Sequence, residues 1–344
     1  MKEPFNTLEF KNDELLLIDQ RVLPAKFEIF VAKTYKDIEF SIRDMVVRGA
    51  PAIGATAAYG VYFALKEFKN SESDFYKACE FVNNSRPTAI NLKWAIDRML
   101  NVYGENKTKE NVLEILKDEA ILIQDEDIKT NQQMGEIGMA VIAQNATILT
   151  HCNTGALATA GWGTALGVIK SAFYANKNIF VYADETRPRL QGARLTAWEL
   201  TQAKIPSKLI TDSTAATLIR DGKIDLVVLG ADRIATNGDV CNKIGSFSLS
   251  VICKAYGVPF YSAAPLSTID FNISDGSQIP IEERDKNEVR FVGETQIAPL
   301  EMDVYNPAFD VTPHQNVTGI ITEKGIIYPP FKENIEKLKQ KYIC

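Results

Sequence analysis

Histidine is scarce in this sequence, and cysteine is sparse and unpaired. Two histidines and five cysteines (Cys79, Cys152, Cys241, Cys253 and Cys344) occur in 344 residues, without CxxC spacing. Without that spacing and with only two histidines a zinc site is poorly supported, and an odd number does not make a disulfide framework, so all five cysteines are read as thiols. No apolar run approaches the roughly 20 residues of a spanning helix, and the opening stretch MKEPFNTLEF has no signal-peptide core. The expected location is the cytosol. Basic residues are not in excess either: 38 Lys and Arg stand against 44 Asp and Glu, for a net charge of -6. That scattered balance gives no footprint for nucleic acid or an anionic membrane, so an anionic ligand has to be held by local groups. Internal repeats and low-complexity segments are absent as well.

What is present is periodic. Between Pro51 and Gln144, PAIGATAAYGVYFALKEFK, KENVLEILKDEAILIQ and DIKTNQQMGEIGMAVIAQ carry apolar residues three and four apart, the period of a helix with a buried face. After Asn145 the period changes. ATILTH, NIFVYAD, SKLIT, IDLVVLGAD and VPFYSAA are short β-rich runs, separated by helical text such as GARLTAWELTQA and STAATLIRDG. Strands alternating with helices imply βαβ units and a parallel sheet. The expected fold is α/β: a small, mainly helical N-terminal domain over residues 1–125, then a Rossmann-like parallel-sheet domain over 126–344. The closing FKENIEKLKQKY reads as a solvated amphipathic helix.

Ligands of open parallel sheets collect beyond the carboxyl ends of the strands, and here those ends are polar. The first run ends in His151-Cys152-Asn153-Thr154-Gly155, the second in ADETRPRLQG, the third in Thr211-Asp212-Ser213 and the fourth in GADRIATNGDVCNKIG. These segments are expected to converge on one crevice. Asp212-Ser213 reads first as the N-cap of a helix starting near Thr214. Gly155 and Gly161 suit either a tight strand-to-helix turn or a backbone cradle for phosphate. Asp232 is a carboxylate just past a buried strand, costly to desolvate unless it is used or paired with a neighbour such as Arg233 or Lys243. Cys152 alone would read as a small buried hydrophobe, but a strand end leading into a helix favours its thiolate. His151 should project to the opposite side, which suits packing or orientation better than service as a base for Cys152. Cys79, Cys241, Cys253 and Cys344 are structural by default.

The helical half carries its own basic positions. MVVRGAPAIG puts Arg48-Gly49-Ala50 ahead of Pro51, which fits the first turn of a helix, and exposed N–H groups beside an arginine can form an anion site. In NNSRPTAINL, Pro87 biases Arg86 toward an extended conformation. Taken singly, either arginine reads more readily as half of a surface salt bridge.

In chain order, LIDQRVLP, RGAPAIGATAAYG, SRPTAINLKWA, LTHCNTGALATAGWGTALGVI, ADETRPRLQGARLTAWEL, GADRIATNGDVCNKIGSFSLSVICKAYGVPFYSAAP and NPAFDVTP resemble the methylthioribose-1-phosphate isomerase family, from about Leu17 to Pro313. That family shares a superfamily with the regulatory subunits of translation initiation factor 2B and with archaeal ribose-1,5-bisphosphate isomerases, so fold alone does not decide function. The resemblance implies an aldose-to-ketose isomerisation in methionine salvage, from 5-methylthioribose 1-phosphate to 5-methylthioribulose 1-phosphate, by a homodimer without a metal or organic cofactor. It implies catalytic roles for Cys152 of HCN and Asp232 of GADR. It implies sugar-phosphate binding by Arg48, Gly49 and Ala50 of RGA, Arg86 of SRPT, Gln191 of RLQG, and Asn242 and Lys243 of NK.

The anomeric oxygen of that substrate is esterified, so the ring oxygen has to be protonated before the ring opens. Asp232, in an apolar setting beneath VVLGA, is the expected general acid. Cys152 then either removes the C2 proton, giving an enol phosphate, or stabilises a cation while hydride moves from C2 to C1. Ribose 1,5-bisphosphate and 5-deoxyribose 1-phosphate are competing substrates that differ at C5, where apolar residues around Trp162 would suit a methylthio group unless Trp162 is core. A non-catalytic regulatory subunit is the competing class, and retention of both Cys152 and Asp232 argues against it.

Overall fold

A computed structural model describes residues 4–86 and 89–342; Pro87 and Thr88 of the SRPT stretch, and Cys344, lie outside the described residues. The chain forms two compact units, Lys2–Gln132 with Gly155–Gly163, and Gln133–Thr154 with Thr164–Cys344.

The N-terminal unit opens with an antiparallel sheet of β1 (Leu8–Lys11), β2 (Glu14–Ile18) and β3 (Ile29–Ala32). Five helices follow: α1 (Tyr35–Arg43), α2 (Ala50–Glu67), α3 (Glu72–Asn83), α4 (Ile90–Asn106) and α5 (Val112–Gly138). Thr34 and Asp37 close the start of α1 as a reciprocal capping box. Helix α2 is buried continuously from Ala52 to Leu65, as its nearly all-apolar text requires, and it is central to the unit's core. The two helical stretches read on either side of Asp125 are one helix, α5. The units part within α5, between Gln132 and Gln133.

The C-terminal unit alternates β4 (Thr147–Thr150), α6 (Ala165–Tyr174), β5 (Phe180–Asp184), α7 (Ala197–Gln202), β6 (Ser207–Ile210), α8 (Thr214–Arg220) and β7 (Leu226–Leu229). Next come β8 (Arg233–Ala235), β9 (Val240–Lys243), α9 (Ser246–Tyr256), β10 (Phe260–Ala263) and β11 (Ile269–Asp270). A short α10 (Asn287–Arg290) and the β12 (Phe291–Val292) and β13 (Thr295–Gln296) hairpin lead to β14 (Phe309–Thr312), β15 (Gly319–Thr322), β16 (Gly325–Ile327) and α11 (Phe331–Tyr342).

The main sheet has the order β16-β15-β10-β7-β4-β5-β6. All its pairs are parallel except β15 with β16. Counted from its first strand, β4, the parallel part runs 3-2-1-4-5-6, the doubly wound order whose direction reverses between first and fourth strands. Alternation within the strands covers both faces. Ile148, Val181, Val228, Tyr261 and Ile321 enter one core, and Leu149, Val227, Phe260 and Ile320 the other. A second sheet, β11-β8-β9-β14, holds the polar text after β7.

Candidate active site

Strands β4 and β7 flank the reversal and are hydrogen-bonded neighbours, with Ile148 opposite Leu226 and Leu149 opposite Val227. Cys152 follows β4 and Asp232 follows β7, so both leave the sheet at its switch point. The exits touch. A Cβ on Gly230 would lie 2.7 Å from Thr154 Cγ2, so only glycine allows the two segments to run this close.

Cys152 is 8% exposed and has a left-handed backbone, φ +60°, which a non-glycine residue keeps only where its surroundings hold it. Two threonines do so. The Cys152 N–H donates to Thr186 Oγ1 at 2.8 Å, and the Thr196 hydroxyl donates to the Cys152 carbonyl at 2.6 Å. Behind them Asn153 Nδ2 donates to Glu199 Oε1 at 2.8 Å and to Thr196 Oγ1 at 3.2 Å. Lys170 Nζ stands 4.0 Å from Glu199 Oε2, both side chains being buried.

The end of β5 wraps this turn. Thr186 is left-handed too, φ +64°, and its N–H and that of Arg187 donate to the two carboxylate oxygens of Asp212 at 2.7 and 2.8 Å. This corrects the N-cap reading of Asp212: Ser213 is the residue at the cap of α8, with no side-chain capping bond. Two neighbouring N–H groups turned outward by a left-handed residue form a nest that offers a carboxylate more than one helix-end amide does. Gln191 precedes a π-helical turn, Gly192–Thr196, and its Oε1 is buried with no hydrogen-bond partner among the described residues. A Cβ at Gly192 would fall 1.6 Å from the Asp184 carbonyl oxygen, so that turn requires glycine.

His151 is oriented by two bonds, Nδ1 with Asp184 Oδ2 at 3.0 Å and Nε2 with the Ile244 carbonyl at 2.9 Å. His151, Asp184 and Asp212 bring their potential ligand atoms within 4.8 Å of one another. Both ring nitrogens and both Asp212 oxygens are already engaged, which leaves a poor donor set for an ion.

Asp232 departs from expectation. It is exposed, because the chain turns at Gly230 off the buried layer into β8, and the apolar setting anticipated for its carboxyl is not present. Its backbone N–H donates to the Cys241 carbonyl at 2.9 Å, tying it to β9, where Asn242 and Lys243 are buried. Asn242 Nδ2 donates to Ser246 Oγ at 2.9 Å. Lys243 Nζ donates to the Ala308 carbonyl at 2.9 Å and lies 4.4 Å from the Phe309 ring centroid. Burial pushes the Lys243 ammonium below the ordinary lysine range, while the Cys152 and Asp232 side chains pull it back. Lys243 is thus within electrostatic reach of both. Burial pushes the Cys79, Cys241 and Cys253 thiols up to about 12, which fits their structural reading.

The remaining positions belong to the N-terminal unit. Gly49 is the N-cap of α2, φ +92°, with Pro51 in its first turn and no side chain capping that end. A Cβ at Gly49 would be 2.3 Å from the Ala158 carbonyl oxygen. Arg48, Ala50 and Arg86 are half-buried. The glycine-flanked stretch Gly155–Gly163 forms a turn in which five of the N–H groups are already bonded. The N–H groups of Ala158, Thr159 and Gly163 bond to carbonyls within it, that of Gly161 bonds to Thr159 Oγ1, and that of Ala160 bonds to the Asp127 carboxylate. Trp162 is core.

The profile of the Initiation factor 2 subunit family matches residues 46–329. A methylthioribose-1-phosphate isomerase of Thermoanaerobacter pseudethanolicus is 62% identical over 346 residues, covering 98% of this chain and all of that protein. The crystal structure of 5-methylthioribose 1-phosphate isomerase from Pyrococcus horikoshii is 42% identical, with a TM-score of 0.93 over 98% of this chain and 96% of that one. A structure described as translation initiation factor eIF-2B, subunit delta, from A. fulgidus is also 42% identical, with a TM-score of 0.90 over 98% of this chain and 99% of that one.

Proposed function

The chain belongs to the methylthioribose-1-phosphate isomerase family, and we propose that Cys152 and Asp232 carry out its aldose-to-ketose isomerisation of 5-methylthioribose 1-phosphate in methionine salvage. The observation that carries this reading is the pairing at the switch point: a clamped thiol and an accessible carboxyl leave adjacent strands within reach of one buried ammonium.

Asp232 is the general acid for the ring oxygen. Its exposure leaves the carboxyl open to a bound sugar, which covers it from water. Once the ring is open, C2 faces Cys152, which either takes the C2 proton or stabilises the cation during a hydride shift to C1. Lys243 offers a positive charge to the oxygens that gain electron density in either route. Arg48, Gly49, Ala50, Arg86, Gln191, Asn242 and Lys243 are the proposed contacts of the sugar phosphate, and the unpartnered Gln191 Oε1 suits a sugar hydroxyl as donor.

Asp232→Asn should keep much of the substrate affinity and lose about 10² to 10⁴-fold in kcat. Cys152→Ser should lose a comparable factor, and near-normal turnover in either variant removes that residue from the chemistry. Likeness to a structure described as an initiation-factor subunit favours a second reading, a non-catalytic regulator. Turnover by the purified chain alone decides between them, and 5-deoxyribose 1-phosphate and ribose 1,5-bisphosphate assayed alongside define the C5 preference. We also propose a cytoplasmic homodimer. Its support is the family resemblance and, among the described residues, the lack of any helix long and apolar enough to cross a membrane; light scattering of the purified chain measures the assembly.

A further inference from the structure

We propose that His151 is held as an imidazolium that donates from both ring nitrogens, and that it is a positioning residue for Cys152. It bonds the chain after β4 to Asp184 on β5 and to Ile244 beyond β9. The inference rests on the reading of Cys152 above and extends it to how the thiol is registered against Lys243.

The proton count follows from the partners. A carbonyl oxygen can only accept, so Nε2, 2.9 Å from the Ile244 carbonyl, carries a hydrogen. In a neutral ring Nδ1 would then present a lone pair to Asp184 Oδ2 at 3.0 Å, lone pair against lone pair in a site where His151 is 2% and Asp184 1% exposed. A shared proton removes that repulsion. The charged groups around the ring favour its residence on histidine: Asp184 from β5, Asp212 from the loop after β6, and Asp310 from β14 are all acidic, and Lys243, one residue before Ile244, is the cation on the far side of that turn. Burial works against the imidazolium, but the Asp184 hydrogen bond and charge, the Ile244 carbonyl and the Asp212 charge together outweigh it, and His151 is raised above the ordinary histidine range.

Packing makes the ring a wedge. Gly245, φ +107°, would place a Cβ 2.9 Å from His151 Cε1, so the β9-to-α9 turn closes directly on the imidazole. Asp310 fixes the same turn by accepting from the Gly245 and Phe247 N–H groups at 2.7 and 3.0 Å. His151 therefore links the backbone one residue before Cys152 with the backbone one residue after Lys243.

The test uses the full chain labelled with ¹⁵N-histidine, which has only one other histidine, His314, assigned with His314→Gln. At pH about 7.5, where an ordinary imidazole is neutral, both His151 ring nitrogens should show bonded protons; an unprotonated Nδ1 in this wild-type spectrum overturns the proposal. His151→Gln and Asp184→Asn should each lower kcat about 10- to 100-fold with KM changed less than about 3-fold, as misplacement of a reacting group does. In Asp184→Asn the ring should lose its proton at a lower pH than in the wild type. Unchanged kcat in both variants refutes the positioning role. An active Cys152→Ser would remove the catalytic reading while leaving the spectrum as stated, so the two failures are distinguishable.

Discussion

Lys170→Met isolates the buried ion pair behind the cysteine turn. Lys170 is 1% and Glu199 2% exposed, and Glu199 Oε1 accepts from Asn153 Nδ2 while Oε2 faces Lys170. Removing the ammonium takes the facing cation away from a carboxylate in a nearly dry site, and breaking such a pair by deleting one partner costs about 3–5 kcal/mol. That is a large part of the roughly 5–15 kcal/mol by which a domain is stable. Urea titration followed by far-UV circular dichroism reads the loss as a drop in midpoint at constant m. The double variant Lys170→Met/Glu199→Gln removes the charge but keeps an acceptor for Asn153, so it should recover most of the deficit, a coupling of about 2 kcal/mol or more. Turnover should fall in the single variant and partly return in the double, because Asn153 holds the Thr196 hydroxyl that donates to the Cys152 carbonyl. A single-variant loss under about 1 kcal/mol, or strictly additive effects, refutes the claim that this pair supports the turn.

Arg86→Ala should mainly raise KM for the sugar phosphate, by the factor of about 10 that accompanies the loss of roughly 1.4 kcal/mol of uniform binding; an unchanged KM takes Arg86 out of the phosphate contacts. Gly192→Ala forces a methyl into the Asp184 carbonyl, so the β5 exit has to shift; about 3 kcal/mol of stability and much of kcat should be lost, and a wild-type urea midpoint would show that the turn yields freely. The pair His151 and Asp184 sets a pH dependence with a definite sign. Both folded values are raised, Asp184 to about 6 by burial despite its histidine partner, so the folded pair binds protons that the unfolded chain has released. The His151 contribution is complete below the unfolded value of about 6.5 and is lost as pH rises through the higher folded one. The Asp184 contribution likewise declines as pH rises through about 6. Wild type should therefore lose stability relative to Asp184→Asn from about pH 4 to about pH 6 through Asp184 and again above about pH 6.5 through His151, at up to about 1.4 kcal/mol per pH unit for one proton; a flat difference refutes it.

The parallel sheet was legible because its strands declare themselves. Runs such as Leu226–Leu229 are apolar at every position, which only a strand covered on both faces tolerates, and all five runs read from the sequence are strands β4, β5, β6, β7 and β10. What escaped was made of local bonds and short pairings. Strands β8 and β9 carry Arg233, Asn242 and Lys243, so their alternation is hidden by polar side chains, and the Asn237-Gly238 turn between them lies inside what reads as one polar strand end. Strands β1, β2 and β3 have four or five residues each, too few for a period to stand out beside long helices. The misread Asp212 has the same origin: a carboxylate before a helix looks like a cap until the left-handed Thr186 is known, and nothing in ADETRP announces a positive φ at a β-branched residue. Spacing can nominate Cys152 and Asp232 as strand-end residues, but the clamp that makes the thiol a fixed group comes from Thr186 and Thr196, which bond the Cys152 N–H and carbonyl, with Asn153 bonded in turn to the Thr196 hydroxyl. Such partners vary in identity only as far as a hydroxyl or amide reaches the same carbonyl. Residues that act through the backbone therefore leave a weaker mark on a single sequence than residues that act through their side chains, and a variant scan of Thr186 and Thr196 should show serine tolerated where valine, of nearly the same shape, is not.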